Sequence, residues 1–468
     1  MGLFSGNLSG WVLGALFLLA LVGVVVALAT DDRDPSVVLA WLFVIMLFPV
    51  LGVILYFFLG RNFRRGTRKG SAGVEPPASS PPSVVPTPGE RIASVALREG
   101  GAQMLAANDV ELYFAGSQKF PRLLAEMAQA RRYIHLMYLI WERDELTAQV
   151  TEVLLERLSA GVEVHIMYDW LTSIPYRKNE LRTLARAGAV VVPCYRRPSQ
   201  LNYRNHMKMV IIDGESVYSG GMNMGQEYID GGRRFASWRD TSYRLTGPAV
   251  LPFLELFAAI WRLNRRSEDL VSGYLPEATP TIDPAAAVPI QVVHSSVSTR
   301  FPANRDVFIV ALLAARQRVW IQSPYFVPDE PLLTAMCVAA TSGVDVRLMM
   351  TGVPDQRVPF FAAHAYYPQL LRAGVRVYQY TAGFLHAKTV TVDDEVAILG
   401  TCNWDIRSLI LHDEVVSVIH DRGIAVDHAG QFQKDLADCS EVVADGLGSL
   451  SGAVRFRNSV YRLFSRLL

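Results

Sequence analysis

The sequence predicts an α/β protein built from two copies of one layered unit, placed behind an N-terminal hairpin of apolar helices. Three observations predict it. Two long apolar stretches, residues 11–29 and 37–59, open the chain. Strand-like and helix-like runs alternate from about Ile92 onward, as in a layered α/β domain. The same motifs then return at a spacing of 180 residues, from His206 to His386 and from Asn223 to Asn403, which marks a tandem duplication.

Each apolar stretch is about long enough to cross a hydrocarbon core of roughly 30 Å as a helix. The short acidic "TDDRDP" between them predicts a turn at one membrane surface. Arg61, Arg64, Arg65, Arg68 and Lys69 follow the second stretch, and by the positive-inside rule they place this flank and everything after it in the cytoplasm. A cleaved signal peptide is the alternative, but "MGLFSGNLSG" lacks the basic start such peptides carry. Residues 1–69 thus form a two-helix membrane anchor, and the Pro- and Ser-rich residues 70–90 a disordered tether.

The first α/β unit covers residues 91–275 and the second 276–468. "RLSAGVEVHIMYD" near Gly161 is echoed by "ATSGVDVRLMMTG" near Gly343, and "LARAGAVVVPCY" near Gly188 by "LLRAGVRVYQY" near Gly374. The boundary falls in the polar, Pro-containing residues 272–287. At the C-terminus Phe456, Val460, Leu463, Phe464 and Leu467 make one helical stripe beside Arg455, Arg462 and Arg466. Such a helix suits an anionic membrane surface and equally suits packing on the α/β body.

"NHMKMVIIDG" reads as a strand ending in an Asp-Gly turn, with His206 and Lys208 on one face and Asp213 at the turn. Its echo, "HAKTVTVD", supplies His386, Lys388 and Asp393. A small-residue turn and an Asn follow each: Gly221 and Asn223, then Thr401 and Asn403. One such His is more often structural than catalytic, but two copies in register point to shared chemistry. A neutral imidazole is a competent nucleophile at phosphorus, and a protonated one an acid for the departing alkoxide. Two Lys and two Asn side chains would hold the non-bridging oxygens. The motifs hold neither the carboxylate cluster nor the P-loop of metal-assisted phosphoryl enzymes, so neither metal nor cofactor is expected. Asp213 and Asp393 belong to the motif, though the strand's end suits support of the site better than substrate contact.

The remaining composition narrows the function. Against 45 basic residues stand 44 acidic ones, so bulk charge does not predict a nucleic-acid coat. Cys194, Cys337, Cys402 and Cys439 are scattered and suggest neither a zinc site nor a disulfide framework. His135, His165, His294, His364, His412, His420 and His428 match no repeated chemistry, and Asp169 reads as structural.

The paired motifs resemble the phospholipase D superfamily. "YFFLGRNFRRG", "GGMNMGQEY", "SWRDTSYRLTGPAV", "SPYFVPDE" and "GFLHAKTVTVDDEVAILGTCNWDIRS" look like its bacterial cardiolipin synthase branch, over nearly the whole chain. The resemblance implies two phospholipase D-like domains meeting at one site with pseudo-twofold symmetry. It implies transfer of a phosphatidyl group between two phosphatidylglycerols, giving cardiolipin and glycerol through a phosphohistidine. By the family's usual division His206 is the nucleophile and His386 the acid, an order that the near symmetry of the motifs leaves open. Acids downstream commonly orient the histidines, and Asp240 and Glu414 occupy those places. Two departures bear on the acceptor: "VVHSSVSTRF" lacks the branch's small-Gly-Pro stretch, and Trp404 replaces a smaller apolar residue. Alternatives are a membrane phospholipase D or phosphodiesterase that uses water, phosphatidylethanolamine as donor, and a non-catalytic lipid-binding scaffold.

Overall fold

The structure, a computed structural model, describes residues 14, 18, 21–26, 35–56, 60, 86–174, 180–197, 200, 202–265, 270, 273–276, 287–443 and 451–464. These fall into two units, one from residues 1–66 with 196–202 and one from 67–195 with 203–468. In the first, residues 21–26 are helical, followed by helices Pro35–Leu47 and Pro49–Leu55. The second apolar stretch is therefore interrupted rather than one helix. Pro49 pushes the residue before it out of the α region, and Phe48 sits at φ −132°, ψ 72°. Val24 packs with Ile45, Val53 and Tyr56, so the two apolar stretches touch. Among the described residues no helix is long and apolar enough to cross a membrane. Most of the first predicted span, the basic flank 61–69 and the tether from 70 to 85 lie outside the described residues.

The second unit is organised by one fifteen-stranded sheet. The first half contributes β1 (Leu105–Tyr113), β2 (Tyr133–Tyr138), β3 (Glu163–Asp169), β4 (Val190–Cys194), β5 (Met209–Ile212), β6 (Ser216–Gly220), β7 (Trp238–Arg239) and β8 (Ser242–Thr246). The second contributes β9 (Val288–Ser295), β10 (Arg318–Gln322), β11 (Phe326–Val327), β12 (Asp345–Thr351), β13 (Arg376–Tyr380), β14 (Phe384–Leu385), β15 (Thr389–Val392), β16 (Val396–Gly400), β17 (Trp404–Asp405), β18 (Glu414–Ile419) and β19 (Cys439–Val442). Strand order in the fifteen-stranded sheet is β4-β3-β2-β5-β6-β8-β1 in one half and β13-β12-β10-β15-β16-β18-β9 in the other, with β1 beside β9 at the centre and β19 added at the far edge; the remaining four form two separate pairs, β11 with β17 and β7 with β14. The two halves therefore repeat one topology about a pseudo-twofold axis.

Local sequence accounts for the pieces that set the site. Parallel β2, β3 and β4 are joined by helices Glu145–Ser159 and Glu180–Arg186, as parallel pairing requires. The β5–β6 and β15–β16 hairpins turn at Asp213 and Asp393, which take positive φ values of 53° and 49° that Asp tolerates better than most residues.

One boundary differs from the sequence reading. Helix Pro88–Gly100 begins inside the stretch read as tether, because Thr87, Pro88 and Glu90 form a capping box. That helix joins the second half's core, with Ile92 and Ala96 packed among Val293, Ala303, Val307 and Phe308. The halves are also tied by a buried ion pair: Arg239 Nε donates to both oxygens of Asp435 at 3.0 Å, and Gln322 and Gln431 donate to the same carboxylate.

Candidate active site

Regular β5 begins only at Met209, so His206 and Lys208 precede the strand rather than lie within it. Their backbone is used across the pseudo-twofold axis instead. His206 N donates to Asp413 O at 3.0 Å, and His386 N donates to Arg239 O at 2.7 Å. Leu385 pairs in parallel with Arg239, and Asn205 likewise with Asp413. Each motif is thereby held against the segment that carries the other half's acid.

The consequence is a crossed pair of contacts. His206 Nδ1 lies 2.7 Å from Glu414 Oε1, and His386 Nδ1 lies 2.7 Å from Asp240 Oδ2. Each ring is thus anchored at Nδ1, leaving Nε2 as the nitrogen for chemistry. The lysines turn back on their own motifs: Lys208 Nζ donates to His206 O at 2.6 Å, and Lys388 Nζ donates to His386 O. All four motif side chains and both acids are buried.

The other predicted residues divide between this site and the scaffold. Thr401 Oγ donates to Glu414 Oε2 at 2.5 Å, and Asp240 Oδ1 accepts from Thr241 N at 2.7 Å. Gly221 leaves room for Asp240, since a Cβ there would lie 2.1 Å from Asp240 Oδ1. Asn223 Nδ2 donates to the Tyr228 hydroxyl at 2.8 Å, and among the described residues the buried Oδ1 atoms of Asn223 and Asn403 have no hydrogen-bond partner. Asp213 and Asp393 are not brought to the histidines. The Asp213 carboxylate accepts from the backbone N–H groups of Arg131, Arg132 and Tyr133, and Asp393 from those of Arg316, Gln317 and Arg318. They fasten the hairpin turn to the neighbouring strand.

Sequence reasoning missed what flanks the rings. Trp238 lies 5.7 Å from His386, and His412 lies 5.8 Å from His206, ring to ring. Each stands two residues before the acid that anchors that histidine, a spacing visible in "WRD" and "HDE" once the acids are known. Tyr228 and Phe384 complete an aromatic surround for His386 at 5.9 and 5.8 Å. Around His206 the surround is polar, with Arg407 Nε donating to His412 Nε2 at 3.2 Å.

Burial governs the electrostatics. It pushes Lys208 down to about 7 and Lys388 down to about 8, and lifts Glu414 to about 8. Burial and then the neighbouring lysines lower His206 well below its usual range and bring His386 to about 4. Asp240 moves opposite to Glu414: burial alone would raise it, but Lys388 and His386 hold it below the ordinary range. The two acids therefore differ in character, Asp240 being the firmer anion. Among the described residues, His206, His412 and Glu414 are the group whose potential metal-ligand atoms lie within 4.8 Å of one another. A cation there would occupy the anchored imidazole itself, so the set fits proton handling better than metal binding.

The same burial makes the histidines' share of the stability acid-labile. His386 and His420 are lowered to about 4 and His428 to about 3, whereas an unfolded chain titrates its histidines at about 6.5. Below that value the unfolded state binds more protons, so this stability is complete above pH 6.5 and lost as pH falls. Each ring held at about 4 withdraws about 3 kcal/mol by pH 4. Carboxyls raised by burial, Glu414 among them, give the opposite trend, so the test is a difference: below pH 6.5 His420→Gln should lose less Tm than wild type as pH falls to 5, and parallel profiles would contradict this burial.

Comparison with known proteins decides the family. The model for "Cardiolipin synthase, PLD-like domain" matches residues 123–233 and 308–436, and that for "Phospholipase_D-nuclease N-terminal" matches 11–61. The major cardiolipin synthase of Bacillus subtilis (strain 168) is 34% identical over 99% of this chain and 100% of its own length. Cardiolipin synthases of Halalkalibacterium halodurans and Geobacillus kaustophilus are each 32% identical, over 98% and 100% of this chain and 95% and 96% of theirs. The chain belongs to the cardiolipin synthase family. As such it is a phosphatidyltransferase of the phospholipase D superfamily, with tandem phospholipase D-like units. The fold agrees: phosphatidylserine synthase of Haemophilus influenzae Rd KW20 superposes with a TM-score of 0.62 at 14% identity, covering 81% of this chain and 100% of that one. The anchored histidines thus sit in a site to which both halves of the second unit contribute.

Proposed function

We propose that this cardiolipin synthase joins two phosphatidylglycerols through a phosphatidyl-histidine on His206. The observation that carries the proposal is the crossed anchoring, which holds both rings at Nδ1 and leaves Nε2 of each for substrate within a buried set whose charges reach one another. In the first step the His206 Nε2 lone pair forms a bond to phosphorus. The bond from phosphorus to the headgroup oxygen breaks, and His386 gives its proton to that oxygen, releasing glycerol. In the second step His386 takes the proton from a hydroxyl of the second phosphatidylglycerol. That oxygen attacks phosphorus, the N–P bond breaks, and cardiolipin leaves with His206 restored.

The unlike acids support this division. Asp240, the firmer anion, favours the imidazolium that an acid must be, while burial keeps His206 neutral as a nucleophile must be. A bound phosphodiester adds negative charge beside His386 and raises it towards a useful range. Lys208, Lys388, Asn223 and Asn403 are assigned to the non-bridging oxygens, whose charge also stabilises the buried ammonium groups. Gly221 and Thr401 set the acids, while Asp213 and Asp393 hold the turns.

We also assign the N-terminal unit to the membrane, with the catalytic unit on the cytoplasmic side. Leu39, Phe43, Met46 and Val50 point outward there, each more than half exposed, as an apolar solvent would require. Holding the enzyme where donor and acceptor both reside raises their effective concentration. Incubating purified enzyme with phosphatidylglycerol vesicles should release glycerol and form cardiolipin in equal amounts. Phosphatidic acid as the only lipid product would replace the transferase reading by a hydrolase, and ethanolamine release from mixed vesicles would change the donor.

A further inference from the structure

The C-terminal helix Gly452–Phe464 has two faces, and among the described residues one of them is packed. Tyr461 meets Phe361 at 5.3 Å between ring centroids, Arg457 lies over the same ring at 3.9 Å, and Arg462 over Tyr366 at 4.6 Å. Asn458 is buried on this side. The apolar stripe read from the sequence points the other way: Phe456 is 73% and Leu463 76% exposed. They stand seven residues apart, with Val460 between them, so they form one apolar ridge about two turns long. The part of the stripe formed by Phe464, Arg466 and Leu467 lies outside what the structure describes of side chains.

Charge says what covers the ridge. Arg455, Arg457 and Arg462 lie on this helix, and its residues include no acid. A second copy docked by twofold symmetry would set arginines against arginines, which opposes association. An anionic leaflet instead meets the ridge with acyl chains and the helix's flanks with phosphates, Arg457 and Arg462 being exposed even where they lie over the rings beneath.

Position gives the contact a purpose. The helix rests on Arg357–His364, whose N-cap Gln356 follows Asp355. Asp355 accepts from the Tyr325 hydroxyl, its backbone carbonyl accepts from Arg234 of the first half at 2.8 Å, and its charge reaches Lys388. The helix pair thus borders the catalytic set on the side of His386, where the proposed mechanism releases glycerol and admits the acceptor.

We propose that helix Gly452–Phe464 is a membrane-interface foot that seats this rim of the active site on an anionic lipid leaflet through Phe456 and Leu463. The proposal rests on the lipid-transfer reading for its purpose but not for its test. Full-length Leu463→Cys enzyme, carrying an environment-sensitive fluorophore and corrected for labelling of the parent protein, is placed in phosphatidylglycerol vesicles, in phosphatidylcholine vesicles, and in nanodiscs holding one copy each. A blue shift is expected in phosphatidylglycerol vesicles and in phosphatidylglycerol nanodiscs, and a weaker one in phosphatidylcholine. A water-like spectrum throughout overturns the proposal, and so does a shift that disappears in one-copy nanodiscs, which would assign the ridge to a second copy. In parallel, Phe456→Ser/Leu463→Ser should raise the apparent KM for vesicle phosphatidylglycerol about tenfold with kcat unchanged. The same variant should match wild type on monomeric short-chain phosphatidylglycerol. Equal loss on both substrates indicates a packing role and overturns the foot. If wild type makes no cardiolipin in either form, the functional reading fails while the fluorescence still decides the helix.

Discussion

His206→Ala is expected to lower cardiolipin formation by about 10⁴-fold or more, because without the imidazole no covalent intermediate forms and the displacement must occur in one difficult step. His386→Ala should cost a similar factor for a different reason. The glycerol oxygen would then leave as an unprotonated alkoxide, and the acceptor hydroxyl would attack without a base. A donor whose leaving group needs no proton separates the two roles. With a p-nitrophenyl phosphatidyl ester, His386→Ala should release one equivalent of nitrophenolate and stop, its His206 carrying the phosphatidyl group. His206→Ala should release none. If the burst appears in His206→Ala and not in His386→Ala, the two histidines exchange roles. A burst in neither, with folded protein in both, would remove the phosphohistidine.

The site's members were legible in the sequence where they repeat and illegible where they cross. His206 and His386, with their lysines and asparagines, stand out because duplication keeps them in register at one spacing. Asp240 and Glu414 were visible as acids ahead of strands, but nothing in one dimension says that each serves the other half's histidine. That exchange depends on backbone pairing of Asn205 with Asp413 and of Leu385 with Arg239. Helix Pro88–Gly100 was hidden for a related reason. Its opening Pro88 matches the preceding tether in composition, and the core it completes comes from residues far along the chain, among them Val293 and Val307. His412 and Trp238 carry no repeated chemistry, since one place is filled by an imidazole and its twin by an indole.

That broken symmetry extends to the floor beneath each acid, and it yields the second large effect. In the second half Thr401 fills the space and donates to Glu414; in the first, the shorter Asp240 occupies the space where a side chain on Gly221 would go. Gly221→Ala puts a methyl 2.1 Å from Asp240 Oδ1, inside any real contact distance, so the carboxylate must move. His386 then loses both its anchor and the anion that favours its proton, and displacement by about 1 Å is enough to cost about 10²-fold in kcat. Asp240→Asn keeps the shape but removes the charge and should cost a similar factor. Because both act through His386, the double variant should be little worse than either single one, whereas independent effects would multiply. Gly221→Ala should also keep the nitrophenolate burst, since His206 and Glu414 are untouched, and its activity against pH should shift towards acid as His386 becomes harder to protonate. A merely destabilised fold would lose the burst together with turnover and leave the pH profile of the surviving activity unmoved. Full activity in Gly221→Ala would mean that Asp240 does not need the place it occupies, and the crossed anchoring of His386 would lose its catalytic meaning.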